Sequence, residues 1–157
     1  MAGGFKGEPE TLAAIRKLLL AALCIGVLGT VGELVLLRHV DEVAQWFPVA
    51  ALTAAIPILI WHSASPRAAS VRTLQALMVL FIGLGVVGVG LHLNGNVEFE
   101  HELRPDEHGW EFLRKTVAGA TPVLAPGSMV LLGLVGLAHA YRHPLIDSGP
   151  HRQETSI

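Results

Sequence analysis

Glutamate and histidine carry most of the chemistry available to this apolar sequence, and they fall into three groups. In the first, Ala22, Gly26, Gly29 and Thr30 lead at helical spacing to Glu33, while Gly85 and Gly88 lead to His92. Stripes of small residues let helix backbones approach in lipid, so Glu33 and His92 are expected on helix-contact faces. An ionisable side chain at membrane depth is costly and needs a partner. The pairing predicted is Glu33 with His92, as a hydrogen-bonded strut between two helices or as the floor of a cation site.

The second group is His62 and His139. Each stands roughly four turns in from the outer end of an inward-running helix, so the two share a level near the inner membrane face. Facing imidazoles of this kind could serve as axial ligands to a haem iron. The plainer alternative is a pair of interfacial histidines beside Trp61 and Tyr141.

The third group lies between the spans: His39, Glu98, Glu100 and His101, with Glu42 and Glu102 close by. Imidazole with carboxylate is ligand chemistry for a divalent transition metal, whereas calcium would take oxygen alone. Set against that is a solvated acidic loop. Ser128 and Ser148 have no base near them in sequence, and Gly83-Leu84-Gly85 lacks the pattern of a phosphate-binding loop.

The elements that position these groups follow from composition. The chain has 157 residues, 52% hydrophobic and only 15% charged, and its mean hydropathy of +0.53 is too high for an ordinary water-soluble domain. Eleven basic and 13 acidic side chains leave no basic surface for nucleic acid. A single cysteine, Cys24, excludes an internal disulfide and a cysteine-based zinc site.

Four apolar stretches approach the roughly 20 residues that a helix needs to cross a bilayer: residues 18–37, 47–64, 74–93 and 123–141. The expected architecture is all-α, a polytopic four-transmembrane-helix bundle forming one membrane domain over residues 1–157. Its outer loop, 94–122, should be part extended and part helical. Residues 97–103 alternate apolar and acidic side chains with the period of an extended strand. Beyond Gly109, the spacing of Trp110, Leu113 and Val117 predicts a short interfacial helix.

Lys and Arg are retained on the cytoplasmic side. Lys6, Arg16, Lys17, Arg67, Arg72, Arg142 and Arg152 fall on one side of the spans, and Arg38, Arg104, Arg114 and Lys115 on the other. Both termini are therefore expected in the cytoplasm, in the cell membrane. The leading functional expectation is a small non-catalytic accessory or interaction subunit with a cation site on its outer face. Its partners would be the bilayer and other membrane subunits or further copies of itself. Two rivals remain: a haem- or metal-binding subunit of a membrane redox enzyme, and a small oligomeric transporter or channel.

Overall fold

The computed structural model describes residues 9–36, 43–119 and 125–147. They form five helices: α1 (Glu10–Leu36), α2 (Val43–Ala64), α3 (Ala68–Leu103), α4 (Trp110–Val117) and α5 (Gly127–Ala140). No strand occurs among the described residues. Three of the helices are long and apolar enough to cross a membrane: Glu10–Leu36, Gln45–Ala64 and Ala68–Leu103. Only 11% of the most apolar window of the first is buried, so its hydrocarbon faces outward. Ile25, Leu28, Val35, Ile60, Val79, Val86, Leu91 and Leu131 continue that outward apolar surface, an arrangement suited to lipid and costly in water.

α1, α2 and α3 overrun at their N-terminal ends the apolar stretches that announce them, whereas α5 covers only 14 residues of the expected span 123–141, of which residues 123 and 124 lie outside the described residues. α1 starts at Glu10, immediately after Pro9, whose carbonyl accepts from the amides of Leu12 and Ala13. The hydrocarbon run marks membrane depth, and the helix continues past it because Ala13, Ala14, Arg16 and Lys17 are good helix formers. α2 likewise continues through Pro48 and Pro57. Pro66 ends the connection that follows, and Ser70 secures the next start: its Oγ accepts from the Arg67 amide at 3.0 Å and donates to the Arg67 carbonyl at 2.9 Å.

Residues 97–103, expected to be extended, are helical instead. α3 runs 36 residues to Leu103, a length of about 54 Å. Adding residues to an existing helix carries no nucleation cost, and side chains four apart support the extension. Asn94 Nδ2 donates to Glu98 at 2.7 Å, and Arg104 pairs with Glu100 at 2.6 Å. The short helix expected beyond Gly109 is present as α4. Asn96, buried on α3, donates from Nδ2 to the Thr116 carbonyl at 2.9 Å and ties the two together.

α1 packs on α2 and α5, and α3 packs on α2, α5 and α4. Thus α1 and α3 stand on opposite sides of the assembly, as do α2 and α5. Leu23, Val27, Leu52, Ala55, Leu74, Met78, Phe81 and Leu132 fill the space between them.

The closest seam joins α3 to α5 through glycines. A Cβ on Gly85 would stand 2.9 Å from both the Pro126 carbonyl oxygen and the Val130 amide nitrogen, and one on Gly133 would stand 2.7 Å from the Met78 carbonyl. Gly88 meets Pro126 and Gly136 meets Met78 in the same way. The α1 stripe behaves differently. Gly26 abuts Leu132, but nothing lies within 4 Å of Gly29 or Gly32.

Gly85→Leu and Gly133→Leu should therefore each destabilise the detergent-solubilised protein by about 1–3 kcal/mol, because neither backbone can retreat. Gly29→Leu should leave its melting temperature unchanged. Thermal melting of the three variants measures both effects.

Candidate functional site, a buried histidine cluster

The ends of four helices meet at one level: the first turns of α1 and α3 and the last turns of α2 and α5. The last carbonyls of α5 have no partner within their own helix. Arg16, itself only 7% exposed, reaches across from α1 and supplies one. Its Nη1 donates to the carbonyls of His139 and Tyr141 at 2.7 and 2.9 Å, and its Nη2 donates to that of Arg142 at 3.1 Å. A guanidinium suits this place through both its fork of donors and its charge beside the negative end of the helix dipole.

That clamp fixes an unusual turn. Arg142 has φ of 45°, in the left-handed region that costs a residue with a Cβ about 1–2 kcal/mol. The turn folds the chain back under α5, where the His143 amide donates to the Ala140 carbonyl at 3.3 Å. His143 is thereby brought beside His139.

His62, His139 and His143 are all buried. Their ring centroids form a near-equilateral triangle with sides of 5.2, 5.9 and 5.8 Å. The Nε2 atoms of His62 and His139 lie 3.0 Å apart, linking α2 to α5 across the assembly. Each of these two rings is held from behind. His139 Nδ1 lies 3.0 Å from the Arg16 carbonyl oxygen, an acceptor, so this nitrogen carries the proton. His62 Nδ1 lies 3.1 Å from Ser70 Oγ, whose one proton is directed to the Arg67 carbonyl, so His62 Nδ1 is likewise the donor. Both Nε2 lone pairs then point at each other. Such an arrangement holds either one shared proton or a metal ion.

The paired level of His62 and His139 is as expected, but their spacing does not suit haem. Trans ligands at roughly 2.0 Å from one iron stand about 4 Å apart on opposite sides of a porphyrin plane, whereas these nitrogens are 3.0 Å apart with a third imidazole beside them.

The predicted meeting of Glu33 and His92 does not occur. Glu33 is exposed on α1 and His92 half-buried on α3, no ion pair or hydrogen bond joins them, and their helices lie on opposite sides of the core. The outer ligand set is likewise dispersed. Glu98 is exposed and engaged by Asn94, Glu100 is buried against Arg104, and His101 stacks on Phe112 with centroids 4.6 Å apart. Along a helix, residues 98 and 100 point about 200° apart, so continuing α3 through this segment separates them. His39 lies outside the described residues. Among the described residues, the group able to converge on one ion is His62, His139 and His143, with ligand atoms within 4.8 Å of one another.

The contributions of His143, Ser70 and Arg16 are not anticipated from the sequence. For His143 the signal is present as His139-x-x-x-His143, the four-residue spacing of paired metal ligands on a helix. Ser70 and Arg16 act through a capping bond and a distant contact, and no local pattern announces either role. Comparison with protein families, curated proteins and solved structures finds no match to this chain.

Replacing Arg16 should show how much the site depends on its clamp. Arg16→Lys keeps the charge but cannot serve three carbonyls spread over two nitrogens; it should cost about 1–3 kcal/mol, read as a lower melting temperature in detergent. Arg142→Gly should preserve or raise that temperature, because glycine accepts a positive φ without strain.

Proposed function

We propose that this chain is a four-span integral membrane protein with both termini in the cytoplasm, a non-catalytic accessory subunit whose binding site is the histidine cluster at its cytoplasmic end. The observation that carries this reading is the sorting of charge along the assembly. Arg16, Lys17, Arg67, Arg72 and Arg142 gather at the end where the cluster lies. Glu98, Glu100, Glu102, Asp106, Glu107 and Glu111 gather at the other, in the α3 extension and α4. Basic residues mark the cytoplasmic side.

α5, at 14 residues, is shorter than the usual span, but its placement supports a fourth crossing. Pro126 meets α3 at Gly85 and Gly88, 17 to 20 residues beyond the Ala68 start of that helix, hence roughly 26–30 Å along it. The other end of α5 lies about two turns in from the α3 start, where Gln75 Nε2 approaches the Ala140 carbonyl at 3.5 Å. α5 with its 14 residues therefore covers about 21 Å, some two-thirds of a hydrocarbon core of about 30 Å, and the turns of residues 141–147 continue from its end. The outward apolar surface then faces acyl chains or the helices of a partner subunit.

Cysteine labelling in a Cys24→Ser background tests the topology. Ser65→Cys and Asp147→Cys should react only from the cytoplasm and Asp106→Cys only from outside. Labelling of Asp147→Cys from outside would reduce the chain to three spans. Crosslinking in native membranes tests the accessory role: a defined complex is expected, and a strictly monomeric protein would overturn it.

A further inference from the structure

We infer that the histidine cluster is a site for a divalent transition metal of the zinc class, bound by His62, His139 and His143. This deepens the proposed function by naming the ligand of its site, and it depends on neither the topology nor the accessory role.

The distances fit a single ion. With metal–nitrogen bonds of roughly 2.0–2.1 Å, three imidazoles converging tetrahedrally place their nitrogens about 3.3–3.4 Å apart and their ring centroids about 5.2 Å apart. The observed centroid spacings are 5.2, 5.9 and 5.8 Å, and the His62 and His139 nitrogens stand 3.0 Å apart. Sub-ångström movements of the rings complete the geometry. Three neutral nitrogen donors select zinc, copper, nickel or cobalt over magnesium and calcium, which take oxygen. A fourth position remains for water or another small ligand, as in three-histidine zinc sites.

The surrounding shell has the form that metal sites require. Metal-ligating histidines donate their other N–H to a carbonyl, carboxylate or hydroxyl, which fixes the tautomer and aims the lone pair. His139 has the Arg16 carbonyl in that role and His62 has Ser70 Oγ. His143 is the adaptable member. Its Nδ1 accepts a long 3.3 Å contact from the Leu145 amide, and coordination through Nε2 exchanges that contact for the other tautomer.

Helix dipoles offset part of the basic charge that Arg16, Lys17, Arg67, Arg72 and Arg142 bring to this end. The last turns of α2 and α5 bring the negative ends of two helix dipoles to it, while the nearby guanidinium of Arg16 is engaged with the carbonyls of residues 139, 141 and 142. The turn at Arg142, with its positive φ, leads directly into His143, the third corner of the triangle.

The test uses the untagged full chain in detergent, stripped with chelator and titrated with Co²⁺ and then Zn²⁺. One equivalent of Co²⁺ should bind with the intense visible bands of a tetrahedral nitrogen site, yield to Zn²⁺, and raise the melting temperature. His62→Gln and His139→Gln, which retain a polar side chain, should each weaken binding at least 100-fold. Ser70→Ala, which removes only the hydroxyl behind His62, should weaken it about 10–100-fold. His92→Gln, His101→Gln and His151→Gln should bind as the wild type does. Melting without metal shows that each variant is folded. Failure of the folded wild type to retain Co²⁺ or Zn²⁺ would overturn the inference and leave a proton-bridged histidine pair. Undiminished binding in folded His62→Gln or His139→Gln would place the metal elsewhere. Neither result alters the cysteine-labelling pattern, so failure of the metal assignment and failure of the topology are distinguishable.

Discussion

A helix that ends in a buried setting leaves carbonyl groups with no water to accept from, and the C-terminus of α5 meets that constraint through one side chain from the other end of the sequence. Arg16 and His139 are bound reciprocally: the guanidinium donates to the His139 carbonyl, and the Arg16 carbonyl accepts from the His139 ring. A buried arginine with its donors unpaired would be expensive, so the docking of α1 and the termination of α5 are stable only together. The lateral position of α1 and the tautomer of His139 follow from that exchange.

The clamp acts on an assembly held along its length by different means. Hydrocarbon burial does little to drive helices together in lipid, leaving close backbone packing and hydrogen bonds to hold them. The α3–α5 seam uses the first, with Gly85, Gly88, Gly133 and Gly136 in contact with the opposing helix. The end that carries the histidine cluster uses the second, through Arg16, Ser70 and the three histidines. At the opposite end, Asn96 joins α3 to α4, and Glu107 and Glu111 pair with Lys115 and Arg114. The exposed Glu111–Arg114 bond holds the Glu111 carboxyl below its usual range, an interaction that salt screens and that contributes little to the fold. Rigidity is therefore concentrated at the histidine cluster and along the glycine seam.

Much of the helical content was legible because hydrocarbon runs and glycine spacing are local properties. The α3 glycines were legible as a packing face for the same reason. The α1 stripe failed because spacing shows which residues share a face, and says nothing about which helix that face meets. Gly29 and Glu33 share their face, and that face is exposed; α3, which carries His92, lies across the core. Period-two alternation over residues 97–103 misled because seven residues are too few to outweigh a helix already running into them. His62 and His139 were legible by depth alone, since two helices running the same way put equal distances from their ends at equal levels. Ser70 and Arg16 join them through contacts that only the tertiary arrangement defines.

The position of His143 shows how a local break changes the way two histidines four residues apart are presented. Had α5 continued beyond Ala140, His139 and His143 would share one helix face about 6 Å apart along the axis, the spacing of paired ligands on an unbroken helix. Instead the helix stops at Ala140, Tyr141 is extended with ψ of 124°, and Arg142 turns left-handed. The four-residue spacing then spans a reversal, and the two rings become adjacent corners of a triangle with His62 at the third. The conformation that makes this geometry is unfavourable for arginine in isolation. It persists because the carbonyls exposed by the break at residues 139, 141 and 142 are the ones the Arg16 guanidinium binds, so the end of α5, the strained turn and the third histidine share one physical cause.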